Sequence, residues 1–182
     1  SMELTLFTHT AMNSTYGESF IVYNPDFQTL KIHTSYTRQK DGTIVKTPDN
    51  AFVEVLPRFA ADAPAYNQLK EMVVVHTGLE LGATIYLDYS IITKPGYYPA
   101  LDINERLQET SPVKECKVSI SVPEGTPLAC GLYGSPVKAV EESHDGIKEV
   151  HWTLRNIPAS SREAFQPKNR EASPHLLSLI HI

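Results

Sequence analysis

The chain has 182 residues and a net charge of −5, with 41% hydrophobic and 20% charged residues, the make-up of an ordinary globular domain. Its lysines and arginines are scattered singly, which leaves no basic footprint for nucleic acid or an anionic membrane surface. No apolar run is long enough to cross a bilayer as a helix. The length sets one domain as the prior, with room for a sizeable core if the chain is all-β.

The first residues, SMELTLFTHT, carry neither a basic n-region nor an apolar h-region, so no signal peptide is read there. Leu4 and Leu6 alternate with Glu3, Thr5 and Phe7 without a preceding turn, which suggests a strand entered partway and a true N-terminus, with any export signal, lying upstream. Phe20–Tyr23 reads as a short strand closed by the turn cluster Asn24-Pro25-Asp26. Leu30, Ile32, Thr34 and Tyr36 then alternate with polar residues, and Asp41-Gly42 supplies positive φ for a tight hairpin into Thr43–Lys46. Another turn, Thr47-Pro48-Asp49-Asn50, precedes a strand over Ala51–Leu56. Pro57–Pro64 reads as loop and Ala65–Lys70 as a helical turn.

Val73–Tyr89, VVVHTGLELGATIYLDY, reads as the clearest β-hairpin of the chain. Gly78 and Gly82 bracket its turn, which calls for positive φ at one or both. Pro95-Gly96-Tyr97-Tyr98-Pro99 is a loop, since two prolines in five residues remove ladder donors. Further strands are expected at Glu105–Glu109, Lys114–Val122, Leu128–Tyr133, Val137–Ser143 and Ile147–Arg155, the last two joined through His144-Asp145-Gly146. In the second of these, Cys116, Val118, Ile120 and Val122 share one face, the pattern of a half-buried antiparallel strand. Ser160–Glu163 has the look of a capping box but can nucleate only a turn or two before Pro167. These runs and turns together specify an all-β fold: an antiparallel β-sandwich of about ten short strands with at most one or two helical turns. The sandwich is set at residues 1–165, and 166–182 read as an exit linker toward a further domain.

Candidate chemistry is sparse. The seven histidines share no ligand-like spacing with a Cys or carboxylate, so no metal site is read. A calcium loop at Leu101-Asp102-Ile103-Asn104-Glu105 lacks the dense oxygen array such loops need. Asp88 shares a face with Tyr86 and Ser90 by strand parity and reads as outward and polar. Cys116 and Cys130 lie on consecutive strands, where a bridge is geometrically open but buried free thiols are the plainer reading. The best binding candidates are Tyr97 and Tyr98, because adjacent tyrosines on a Pro-Gly loop can offer a ring to a sugar or peptide. The bland counterpart is a loop pinned by packing its own aromatics. Asn13-Ser14-Thr15 matches the eukaryotic glycosylation sequon.

Five ordered phrases carry a resemblance: YNPDFQTLKI (Tyr23–Ile32), KDGTIVKTPDN (Lys40–Asn50), GLELGATIYLDY (Gly78–Tyr89), LQETSPVKECKVSISVPEG (Leu107–Gly125) and VHWTLRNIPA (Val150–Ala159). In this order they resemble the domain of unknown function that precedes transglutaminase-like cores in exported bacterial proteins, often from Bacteroidetes. The likeness extends over roughly residues 3 to 177. It departs in two places: such domains carry one more strand upstream of Ser1, and they continue past Leu176-Leu177 with an aromatic-led segment rather than Ser178–Ile182.

The resemblance implies a non-catalytic accessory domain, periplasmic or on the cell surface, whose partner is a downstream transglutaminase-like domain of the same polypeptide. It carries over no catalytic residues and no cofactor. Two alternatives stand beside it: a carbohydrate- or peptide-binding module using the Pro95–Pro99 loop, and a fragment lending residues to the active site of a cysteine-nucleophile core. For the last, neither Cys116 nor Cys130 begins a helix that would lower its pKa. His151-Trp152 fits better as a solvent-facing histidine beside a core aromatic.

Overall fold

A computed structural model describes residues 1–12, 16–62, 65, 68–97, 100–160 and 173–181. The strands are β1 (Met2–Thr5), β2 (Glu18–Tyr23), β3 (Gln28–Arg38), β4 (Ile44–Lys46), β5 (Phe52–Val55), β6 (Lys70–Val75), β7 (Thr84–Thr93), β8 (Ala100–Arg106), β9 (Val113–Pro123), β10 (Leu128–Tyr133), β11 (Val140–His144), β12 (Ile147–Ile157) and β13 (His175–His181). Short 3-10 turns at Asp49–Ala51 and Arg58–Ala60 flank β5. The fold is all-β, and the strand pairings among the described residues are antiparallel.

Where the sequence places one sandwich over 1–165, the chain divides into two compact units, Ser1–Tyr97 and Tyr98–Ile182. The first unit holds two sheets, ordered β1-β7-β3-β4 and β2-β6-β5. Its buried cluster joins Ile21 and Val74 of the second sheet to Leu87 of the first, flanked by Leu30, Ile32, Phe52 and Met72. The second unit holds β10-β13-β8 and β11-β12-β9. There Trp152, Leu154, Val150 and Ile120 pack with Leu176 of β13. Each unit is thus a small sandwich, closed by the inward residues of two alternating sheets.

The alternation read in Lys114–Val122 is realised: Ile120 and Val122 are buried, Cys116 and Val118 half-buried, and Lys117, Ser119 and Ser121 exposed. The Asp145-Gly146 turn closes β11 onto β12, with His144 paired to Ile147. Both turn residues have positive φ, 53° and 75°, as a two-residue type I′ loop requires. In the Asp41-Gly42 turn only Gly42 is left-handed, at 90°; Asp41 instead caps the turn by accepting the Thr43 amide on Oδ1 at 2.8 Å.

Three expectations change. The Val73–Tyr89 segment is two strands but not a hairpin: β6 pairs with β2 and β5, while β7 pairs with β1 and β3. Its glycine-bracketed connection therefore crosses from one sheet to the other. Both glycines do have positive φ, 72° at Gly78 and 86° at Gly82, and a Cβ on Gly78 would lie 2.8 Å from Val45 Cγ2. The Asp102–Glu105 stretch is not a loop but part of β8, paired with β13. Carboxylates three residues apart on a strand point to opposite faces, so Asp102 and Glu105 do not converge on one cation. The tail read as an exit linker contributes β13, the middle strand between β10 and β8. Of the helical turns expected at Ala65–Lys70 and Ser160–Glu163, residues 66–67 and 161–163 lie outside the described residues, and Lys70 opens β6.

Candidate functional site

The Pro-Gly loop follows the end of β7. Lys94-Pro95-Gly96-Tyr97 turns with Gly96 at φ 82°, and opposite it stands the Asn24–Phe27 turn between β2 and β3. Asn24, 5% exposed, accepts the Asp26 amide on Oδ1 at 3.1 Å, and its carbonyl accepts the Gln28 amide at 2.7 Å. Lys94 ties the two turns together. Its amide donates to the Phe27 carbonyl at 2.8 Å and its Nζ to the Asp26 carbonyl at 2.6 Å. On this frame the rings of Tyr97 and Phe27 stack, with centroids 4.1 Å apart and planes 14° from parallel.

Tyr97 is thereby half-buried against its neighbour, while Phe27 keeps 40% of its surface open. Tyr98 lies outside the described residues. Sequence reading named Tyr97 but not the ring it stacks on, Phe27, whose only local signal is its place at the end of the Asn-Pro-Asp turn. The pair forms an aromatic step that can receive a sugar face or an apolar side chain.

A second cluster lies on the inward face of the β2-β6-β5 sheet. Ser19 Oγ and His76 Nε2 are 2.8 Å apart, and His76 is 5% exposed. Burial pushes the His76 pKa below its ordinary value, because desolvation disfavours the imidazolium. The distance suits a hydroxyl and its base, yet among the described residues Nδ1 has no hydrogen-bond partner. In triad-type nucleophilic catalysis a third group there orients the ring, and the described residues place none. Sequence could not find it, since the two residues are 57 positions apart and meet only through the β2–β6 register.

The same face carries a third cluster. The Tyr23 hydroxyl donates to Glu54 Oε1, and Lys70 Nζ donates to Glu54 Oε2 at 2.6 Å. Burial, then the hydrogen bond and charge of Glu54, push the Tyr23 pKa up to about 12. The Lys70 hydrogen bond, with that of Tyr23, holds the Glu54 carboxyl below its usual range. Tyr23 faces Lys70 in register across β2–β6, and Glu54 comes from β5, so one carboxylate pins all three strands. That is a structural role.

The other sequence candidates are dispersed. Cys116 and Cys130 are free thiols, both half-buried. Burial raises both pKa values, with Glu109 adding to the rise at Cys116 and Glu141 at Cys130. Raised thiols are poor nucleophiles at neutral pH. Trp152 is in the core at 3% exposure, as read from the sequence. His151 is less open than expected, its side chain 15% exposed and its Nδ1 3.4 Å from Glu149 Oε1, because β12 is a middle strand and Val140 and Ser119 stand on either side. Asp88 keeps about a third of its side-chain surface and is not buried. Among the described residues no group of three or more His, Cys, Asp or Glu is placed to hold a metal ion, and no helix is long and apolar enough to cross a membrane.

Taken together, these features define an all-β domain whose polar clusters link one strand to the next. The chain belongs to DUF3857, a domain of unknown function with a solved structure, whose family model matches residues 1–161. The chain is also similar to a crystal structure described as a putative protease from Parabacteroides distasonis, with 98% identity and a TM-score of 0.94. The likeness covers 98% of this chain but 35% of that one, so the chain spans about a third of that relative's length. No curated protein matches it.

Proposed function

We propose that the chain is a non-catalytic accessory domain of a longer, exported polypeptide, positioning or shielding substrate for a transglutaminase-like, cysteine-nucleophile core elsewhere in that polypeptide. The observation that carries this reading is the coverage: a near-identical polypeptide described as a protease is almost three times as long as the region matched here. The state of the local nucleophiles supports it. Both thiols are raised, and the Ser19–His76 pair has no orienting partner on Nδ1 among the described residues.

The test compares the 182-residue chain with the longer polypeptide for hydrolysis and acyl transfer on a mixed peptide substrate. Activity is expected in the longer polypeptide alone, with kcat unchanged in its Ser19→Ala variant. Turnover by the short chain, or loss of kcat on Ser19→Ala in a variant that stays folded at the assay temperature, would overturn the reading. Export to the periplasm or cell surface rests on the family resemblance and is checked by cell fractionation.

A second reading is favoured by one feature, the stacked Phe27–Tyr97 step with Phe27 open to solvent. It makes the domain a peptide- or glycan-binding module. Binding on a glycan or peptide panel that disappears in both Phe27→Ala and Tyr97→Ala would establish it.

A further inference from the structure

The β2-β6-β5 sheet has two faces of unequal use. Its inward face holds Ile21, Val74 and Met72 against the other sheet of the first unit. Its outward face is also apolar, which solvent alone does not explain. Phe20 pairs with Val73, and Val73 with Val53, in one cross-strand row; Val22, Glu71 and Val55 form the next. Residues directly opposite on neighbouring strands share a face, so these rows are contiguous. Phe20 is 58% exposed, Val53 44%, Val55 40% and Val22 37%. Alternation apolar on one face and polar on the other is what a sheet with one wet side shows. Here the inward side already packs on the core through Ile21, Val74 and Met72, and the outward side still carries an apolar row, the mark of a sheet covered on both.

We infer that the outward face of β2-β6-β5 is the surface on which the remainder of the longer polypeptide docks. The inference rests on the accessory-domain reading above, and it names the contact surface that reading leaves open. Two observations select this occupant. A polypeptide 98% identical over this region continues for about two thirds of its length beyond the matched part, so a covalently attached body is at hand at high effective concentration. The face also carries one half-buried carboxylate, Glu71, in the middle strand, and the described residues supply it no ion pair. A fitting occupant presents apolar side chains with a Lys or Arg opposite Glu71. Interfaces between domains of one chain bury roughly 600–1,500 Å² and mix apolar with polar groups in this way.

The experiment places single cysteines at Phe20→Cys and Val53→Cys, with Glu142→Cys on the exposed strand β11 as a reference, in the 182-residue chain and in the longer polypeptide. Maleimide labelling is read site by site by mass spectrometry, which separates these thiols from Cys116 and Cys130. Residues 20 and 53 are expected to label at least tenfold more slowly in the longer polypeptide, with residue 142 unchanged. Equal rates at 20 and 53 in both proteins, with 142 protected, would overturn this face and leave the accessory reading standing. Equal rates at all three sites would likewise overturn this face, whereas the accessory reading itself falls only if the short chain alone turns over substrate. Concentration-dependent protection at 20 and 53 in the short chain alone would assign the face to a second copy and overturn the inference.

Discussion

The two sandwich units solve the same packing problem with different materials. The second unit gathers seven buried apolar residues into one cluster around Trp152. In the first unit the burial is spread out: among the described residues Ile21, Val74 and Leu87 form one cluster, Leu6, Ala83 and Ile85 are buried as well, and polar groups sit among the strands. Ser19 meets His76, and Tyr23 meets Glu54. Thr37 Oγ1, Thr77 Oγ1 and His76 Nδ1 are buried without a partner among the described residues. An unpaired buried polar atom costs about 1–3 kcal/mol. The second unit has such atoms too, His151 Nδ1 and Ser178 Oγ; what sets the first unit apart is that its apolar burial is spread out and that it also exposes Phe20, Val22, Val53 and Val55 on its outside. A sheet face built this way is suited to a partner.

The comparison is broken or sharpened by substitutions of graded size. Trp152→Ala should cost most, about 3–5 kcal/mol as expected for a fully buried aromatic, and denaturant unfolding followed by hydrogen exchange should place the loss in the second unit. Gly78→Ala comes next. Its φ of 72° and a Cβ 2.8 Å from Val45 combine left-handed strain with a side-chain clash, about 1–3 kcal/mol. Gly42→Ala, at φ 90° with open space around the new Cβ, meets the strain alone and should lower the melting temperature less. If the two alanines cost the same, Gly78 is only a turn residue and not a packing contact between the β6–β7 crossover and β4. Ser19→Ala should be smallest, about 1 kcal/mol, the worth of one neutral hydrogen bond. A loss of more than about 3 kcal/mol, beyond the range for one such bond, would mean that the hydroxyl supports more than His76.

Much of the architecture was legible locally and little of the pairing was. Alternation located β9 and β12, and Asp145-Gly146 specified its own turn, because period and turn chemistry are encoded within a few residues. The β6–β7 segment shows the limit. Two alternating runs around a short glycine-bracketed connection look like a hairpin, but partners are chosen by which core each strand faces. Strand β13 was hidden for the same reason: its tail carries no turn signal, and its place is fixed by β8 and β10, far away in sequence. Of the site, Tyr97 could be read and Phe27 could not. The Ser19–His76 and Tyr23–Glu54–Lys70 clusters exist only through cross-strand register, and no spacing rule reports that.

If the buried polar groups among the strands of the first unit bear on its stability, His76 is where that shows most directly. The folded-state pKa of His76 lies below its ordinary value, so below about pH 6.5 the unfolded chain takes up a proton that the folded one refuses. Stability contributed by the neutral ring is therefore present at higher pH and lost as pH falls through this window. Native-state hydrogen exchange of β2 and β6, measured from about pH 7.5 to 5 to span the ordinary histidine pKa and corrected for intrinsic rates, should show protection that falls with pH in the parent chain. That fall should flatten in His76→Gln, which cannot titrate. An unchanged slope in the variant would contradict a contribution of the buried, neutral His76 to the stability of the first unit.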